Sequence, residues 1–176
     1  MKELLEAMEH DSLVKMKALL EKGVDLSKPI IIGEEYELDE PDEIGLLFYA
    51  IRTKASKEAI ELLLEYGLDI HQLDDDKISA LDTAIKFKRK EIIQLCIDNG
   101  IDLNSTKRRS GILPLLLASC FNDIGIVELL LENGADIHVR DGSGMSAKDY
   151  AKKLGQKKML AFLDEKGAKH NLYPEE

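Results

Sequence analysis

The stretch Leu130-Leu-Glu-Asn-Gly-Ala-Asp-Ile-His138 decides the fold, because the chain carries five versions of it. The others are Leu19-Leu-Glu-Lys-Gly-Val-Asp-Leu-Ser27, Leu63-Leu-Glu-Tyr-Gly-Leu-Asp-Ile-His71, Cys96-Ile-Asp-Asn-Gly-Ile-Asp-Leu-Asn104 and Leu163-Asp-Glu-Lys-Gly-Ala-Lys-His-Asn171. Their glycines stand at 23, 67, 100, 134 and 167, at intervals of 44, 33, 34 and 33 residues. A fixed period of this size marks a repeat architecture, in which each unit is one supersecondary element. A second series runs in step. Ala7, Ala84, Ala118 and Ala151 each lie 16 residues before a repeat glycine, and Ala50 lies 17 before. A small side chain at one register predicts close approach of neighbouring helices.

Each unit reads as a helix pair. Ile60, Leu63 and Leu64, and again Ile126, Leu129 and Leu130, fall at helical spacing and form one apolar face. Ser56, and Asn122 or Asp123, stand where a helix needs an N-cap. The repeat glycines fall just past helix ends, where a left-handed residue closes the last turn without a Cβ penalty. One helix pair cannot bury its apolar face alone, so the units must stack into an all-α solenoid.

The 33-residue period, the paired short helices and the Gly-Ala-Asp-Ile-His type of ending resemble the ankyrin repeat. The likeness covers roughly residues 2–171. The family's opening Thr-Pro-Leu-His-x-Ala stands here as Ser79-Ala-Leu-Asp-Thr-Ala84, Leu113-Pro-Leu-Leu-Leu-Ala118, Ser146-Ala-Lys-Asp-Tyr-Ala151 and, loosely, Gly45-Leu-Leu-Phe-Tyr-Ala50. Its Asp-x-x-Gly turn survives as Asp141-Gly-Ser-Gly144. Units are expected at 1–28, 44–72, 73–106, 107–139 and 140–171, with an insertion at 29–43.

That insertion carries seven acidic residues and no basic one. Ile30 to Ile32, then Tyr36 and Leu38, are expected to form a lengthened β-hairpin arm around Gly33. Two readings stay open: a tolerated surface loop, or an acidic finger that meets a basic partner. Lys86-Phe-Lys-Arg-Lys90 and Lys107-Arg-Arg109 interrupt an acidic chain of net charge −10. They fall in different parts of the unit, and the overall charge disfavours nucleic acid. No apolar run is long enough to span a membrane.

Cys96 and Cys120 occupy different registers, so no disulfide is implied, and a reduced, cytoplasmic setting is expected. His71 and His138 share one register, two units apart, and read as turn residues rather than ligands of a common metal. Asp74-Asp-Asp76 lacks the spacing and the glycine of a calcium loop. No catalytic grouping or cofactor motif is present, and the reading is non-enzymatic.

The family resemblance implies protein recognition by hairpin tips and by the exposed, concave face of the first helices. The residues expected to carry it are Glu34, Glu35, Tyr36, Asp39, Asp74, Asp75, Thr83, Phe87, Arg108, Arg109, Phe121, Asp141 and Ser143. Aromatic side chains would anchor and charges would orient. An adaptor role and an inhibitor role, such as a bacterial immunity protein neutralising a toxin enzyme, both fit. The chain is expected to be monomeric when free.

Overall fold

A computed structural model describes residues 1–32 and 42–173. Among these the regular structure is ten helices and one two-stranded hairpin, with an isolated antiparallel bridge between Arg140 and Ser146. The chain divides into two bodies, Met1–Asp74 and Asp75–Glu176.

The first body holds α1 (Lys2–Glu9) and α2 (Leu13–Glu21), then β1 (Ile30–Ile32) and β2 (Asp42–Ile44), then α3 (Leu46–Arg52) and α4 (Lys57–Glu65). α1 packs on α2 and α3 on α4, while α2 also lies against α4, so the two helical hairpins stack. The second body holds α5 (Ala80–Lys86) and α6 (Lys90–Asp98), α7 (Pro114–Cys120) and α8 (Ile124–Glu132), and α9 (Ala147–Lys153) and α10 (Lys157–Glu165). There α7 packs against both α5 and α9. The in-step alanines explain how these helices stack. Ala84, Ala118 and Ala151 are fully buried, as are Ala50 and, nearly, Ala7. A methyl group at that register lets facing helices close up where a larger side chain would wedge them apart.

The repeated ending has a physical reason at each letter. Gly23, Gly67, Gly100, Gly134 and Gly167 have φ between +79° and +99°. A Cβ built on any of them would meet nothing within 4 Å. Their requirement is therefore conformational rather than steric, worth roughly 1–2 kcal/mol per site. Two residues on, the aspartate folds its carboxylate back over the chain. Asp25, Asp69, Asp102 and Asp136 accept from the backbone N–H of Ser27, His71, Asn104 and His138 at 3.0, 2.9, 2.8 and 2.8 Å. His71 and His138 are thus exposed turn residues placed by their own N–H groups.

Helix starts follow the expected chemistry. Ser56 accepts from Ala59 N at 3.0 Å and Asp123 from Ile126 N at 3.1 Å. Asn122 is not the cap; it takes the left-handed turn conformation, φ 55°. α5 and α9 each open with a reciprocal capping box, Ser79 with Asp82 and Ser146 with Asp149. α7 has Leu113 at its N-cap and instead uses Pro114 in its first turn.

Asp149 does more than cap. It is fully buried and also accepts from the N–H groups of Asn171, Leu172 and Tyr173 at 3.0–3.2 Å, with His170 Nδ1 at 3.1 Å. One carboxylate therefore ties residues 170–173 to the start of α9. Burial alone would raise its pKa. Hydrogen bonds from the Ser146 backbone, the Leu172 N–H, the Ser146 hydroxyl and the Tyr173 N–H overcome that and hold it well below the usual carboxylate range.

The hairpin differs from expectation. Ile30, Ile31 and Ile32 pair antiparallel with Ile44, Glu43 and Asp42. The strand paired with Ile30–Ile32 is Asp42–Ile44. Residues 33–41, which include Gly33, Tyr36 and Leu38, lie outside the described residues.

Candidate functional site

In the second body the first helices of successive hairpins end on apolar side chains. Phe87 follows α5, Phe121 follows α7 and Leu154 follows α9, each as the C-cap residue. They stand 34 and 33 residues apart and so share one register. Phe87 is half-buried, whereas Phe121 is 38% and Leu154 52% exposed. The residue following each of them, Lys88, Asn122 and Gly155, is left-handed, which turns the chain sharply and leaves the C-cap side chain at the corner. Exposed Lys86, Lys88, Lys152 and Lys153 flank this apolar row. Lys86 Nζ sits 5.9 Å from the Phe87 ring centroid. Lys88 lies 3.8 Å from Asp123.

The hairpin tips are built around their own hydrogen bonds. Ser110 O accepts from Gly142 N at 3.3 Å, joining two successive tips backbone to backbone. Asp141 accepts from Ser143 N, Ser143 Oγ and Met145 N, and from the Tyr150 hydroxyl. These bonds outweigh burial and lower the Asp141 pKa, while burial and the Asp141 contact raise that of Tyr150. Asp141 is thus a brace of its own tip. Arg108 is half-buried with Nη1 3.8 Å from Asp82 Oδ1, which directs it inward toward the start of α5.

Of the residues expected at the surface, Asp75, Arg109, Phe121 and Ser143 are exposed, and Asp74 and Phe87 are half-buried. Thr83 is 6% exposed and its hydroxyl donates to Ser79 O at 3.0 Å. Glu34, Glu35, Tyr36 and Asp39 fall outside the described residues. Leu154 was not anticipated, although its register with Phe87 and Phe121 is visible in the sequence once aromaticity is set aside.

The cysteines are poor nucleophiles. Burial, reinforced by Asp82, pushes the Cys96 thiol up to about 12, and burial with Asp141 pushes the half-buried Cys120 thiol up to about 11. Among the described residues no group of three or more His, Cys, Asp or Glu side chains is placed to hold a metal ion. No described helix is long and apolar enough to cross a membrane.

Comparison with known proteins places these hairpins. The model described as ankyrin repeats (3 copies) matches residues 4–107 and 47–141. The chain is 28% identical over 165 residues to an L-asparaginase of Dirofilaria immitis, covering 94% of this chain and 26% of that protein. It is 30% identical over 124 residues to the E3 ubiquitin-protein ligase Ufd4 of Drosophila melanogaster, covering 69% of this chain and 4% of the ligase. It is 29% identical over 106 residues to a B-cell lymphoma 3 protein homolog of Mus musculus, covering 60% of this chain and 24% of that protein. The chain thus spans about a quarter or less of each of these relatives.

Proposed function

This chain belongs to the ankyrin repeat family, whose repeats generally mediate protein–protein interaction, and from that premise we propose that it recognises a partner protein through the first-helix ends of its second body. The observation that carries the reading is the row Phe87, Phe121 and Leu154. Three large apolar side chains stand at one register of consecutive hairpins, and two of them are more than a third exposed. A single exposed apolar residue needs no explanation, but a register-matched row rimmed by charge is the form of a recognition surface. Phe121 and Leu154 would serve as anchors buried by the partner, and the four flanking lysines would orient its acidic groups.

The hairpin tips extend the surface through Asp75, Arg109 and Ser143. The acidic insertion, with Glu34, Glu35, Tyr36 and Asp39, suits a basic region of the same partner. The proposed role is non-catalytic: the thiols are protonated at neutral pH, and the Asp141 carboxylate is engaged with the backbone of its own tip.

Affinity purification from the native source, with the wild type beside Phe121→Asp and Leu154→Asp, tests this. Leu154 is half exposed and Phe121 more than a third, and circular dichroism beside the wild type checks that both variants keep their fold. Each should lose the co-eluting protein, with affinity down about 30-fold, the loss of a contact worth about 2 kcal/mol. A partner retained equally by both variants would refute the assignment.

A further inference from the structure

The first body carries a separate feature on its second helices. α2 and α4 run side by side and are tied at both ends. Ser56 Oγ, at the start of α4, donates to Asp11 Oδ1 at 2.5 Å, and Tyr66 OH, at its end, donates to Glu21 Oε1 at 3.5 Å. Between the ties lies a groove of about 270 Å³. Leu13, Val14 and Leu62 supply its apolar lining, and Glu58, Glu61 and Glu65 of α4 supply its polar edge. Val14 is 85% exposed, the most exposed large aliphatic side chain among the described residues.

We propose that this groove docks a segment of protein chain that presents aliphatic side chains flanked by Lys or Arg. Three observations select that occupant. The volume falls below the roughly 300–1,000 Å³ of small-molecule sites, and suits one or two side chains of a peptide. The three glutamates fall at i, i+3 and i+7, along one edge of α4. Against them stands Lys17 in the lining, and Lys57 offsets Glu61 at 3.3 Å, so the edge stays net acidic and repels anionic ligands. The packing of α2 on α4 and the Ser56–Asp11 hydrogen bond preform the groove, which lowers the ordering cost of binding. This site uses second helices of the first body and does not depend on the reading of Phe87, Phe121 and Leu154.

The test uses a fluorescein-labelled amphipathic peptide with Leu on one face and Lys on the other. It is titrated into the full chain by anisotropy, with backbone amide shifts recorded by NMR. Saturable binding is expected, with shifts confined to α2 and α4. Val14→Asp should weaken it about tenfold or more, as should the triple reversal Glu58→Lys, Glu61→Lys and Glu65→Lys, each equivalent to about 1.4 kcal/mol or more. The exposure of Val14 means its variant folds as the wild type does, which circular dichroism verifies. Equal binding by Val14→Asp, equal binding of a peptide with Glu in place of Lys, or shifts spread over the whole chain would each overturn the proposal. So would a Val14-dependent dimer in sedimentation, which would assign the groove to a second copy of the chain.

Discussion

Replacing Asp149 by alanine should destabilise the second body far more than the same change at Asp82, and the difference isolates one function of a buried carboxylate. Both residues close a capping box with a serine three positions before them. Losing that box costs about 0.5–2 kcal/mol in either case. Beyond that box, Asp82 has Arg108 at 3.8 Å. Asp149 has the N–H groups of Asn171, Leu172 and Tyr173 and the ring of His170. Bonds to a charged acceptor contribute about 1.5–3 kcal/mol each when they cannot be replaced. Residues 170–173 can swing out and recover water, however, so the loss is capped at the free energy of their detachment. We expect about 2–4 kcal/mol for Asp149→Ala against about 1–2 for Asp82→Ala. In urea this lowers the midpoint by about 1–2 M for Asp149→Ala and by under about 1 M for Asp82→Ala. Hydrogen exchange should show the Leu172 and Tyr173 amides protected in the wild type and open in Asp149→Ala. The pH dependence has a definite sign. A carboxylate whose folded pKa is lowered stabilises fully above its unfolded value, near 3.9, and loses that contribution as pH falls through the folded value. The stability gap between wild type and Asp149→Asn should therefore narrow as pH falls below about 4. Equal costs at Asp82 and Asp149, or unprotected Leu172 and Tyr173 amides in the wild type, would refute the reasoning.

Other sites give independent checks. Gly111 has φ 68°, and a Cβ there would lie 2.6 Å from Gly142 N, so Gly111→Ala should part the two joined tips. It should cost about 1–3 kcal/mol in thermal unfolding, and the Gly142 amide should exchange faster. Lys54 is left-handed with φ 62° and lies on the surface, so Lys54→Gly should stabilise the first body by about 0.5–1 kcal/mol. An unchanged or lowered midpoint would show that the turn carries no such strain. With Cys96 buried and both thiol pKa values high, iodoacetamide at pH 7.5 should modify Cys120 slowly and Cys96 only after unfolding. Fast labelling of Cys96 in the native protein, read by mass spectrometry, would contradict its placement.

The fold was legible because repetition multiplies weak signals. One Leu-Leu-Glu-x-Gly-x-Asp is a passable helix end; five in register, with alanine at a fixed distance, leave little else. The N-caps Ser56 and Asp123 could be read from residue type and position before a helical apolar pattern. What failed to show was anything that depends on where a side chain finds its partners. Asp141 at a tip looks the same in sequence whether it faces a partner or braces Ser143, Met145 and Tyr150. Thr83 reads as a first-helix surface residue, but its hydroxyl turns back to Ser79. Asp11, Lys54, Lys88 and Asn122 occupy left-handed turns at the register of Gly155, and residue type marks that turn at Gly155 and more weakly at Asn122 and Asp11 but not at the two lysines. The return strand Asp42–Ile44 was hidden by acidic residues that have little intrinsic strand preference. The groove beside Val14 needs two helices from different units, and no single stretch of sequence displays it.

Hydrogen exchange of the partner complex, compared with the free chain, locates the recognition surface. New protection is expected at the amides that follow α5, α7 and α9, around Phe87, Phe121 and Leu154, and at the tips near Asp75 and Arg109. Protection confined to α6, α8 and α10, with those first-helix ends exchanging as they do in the free chain, would contradict it.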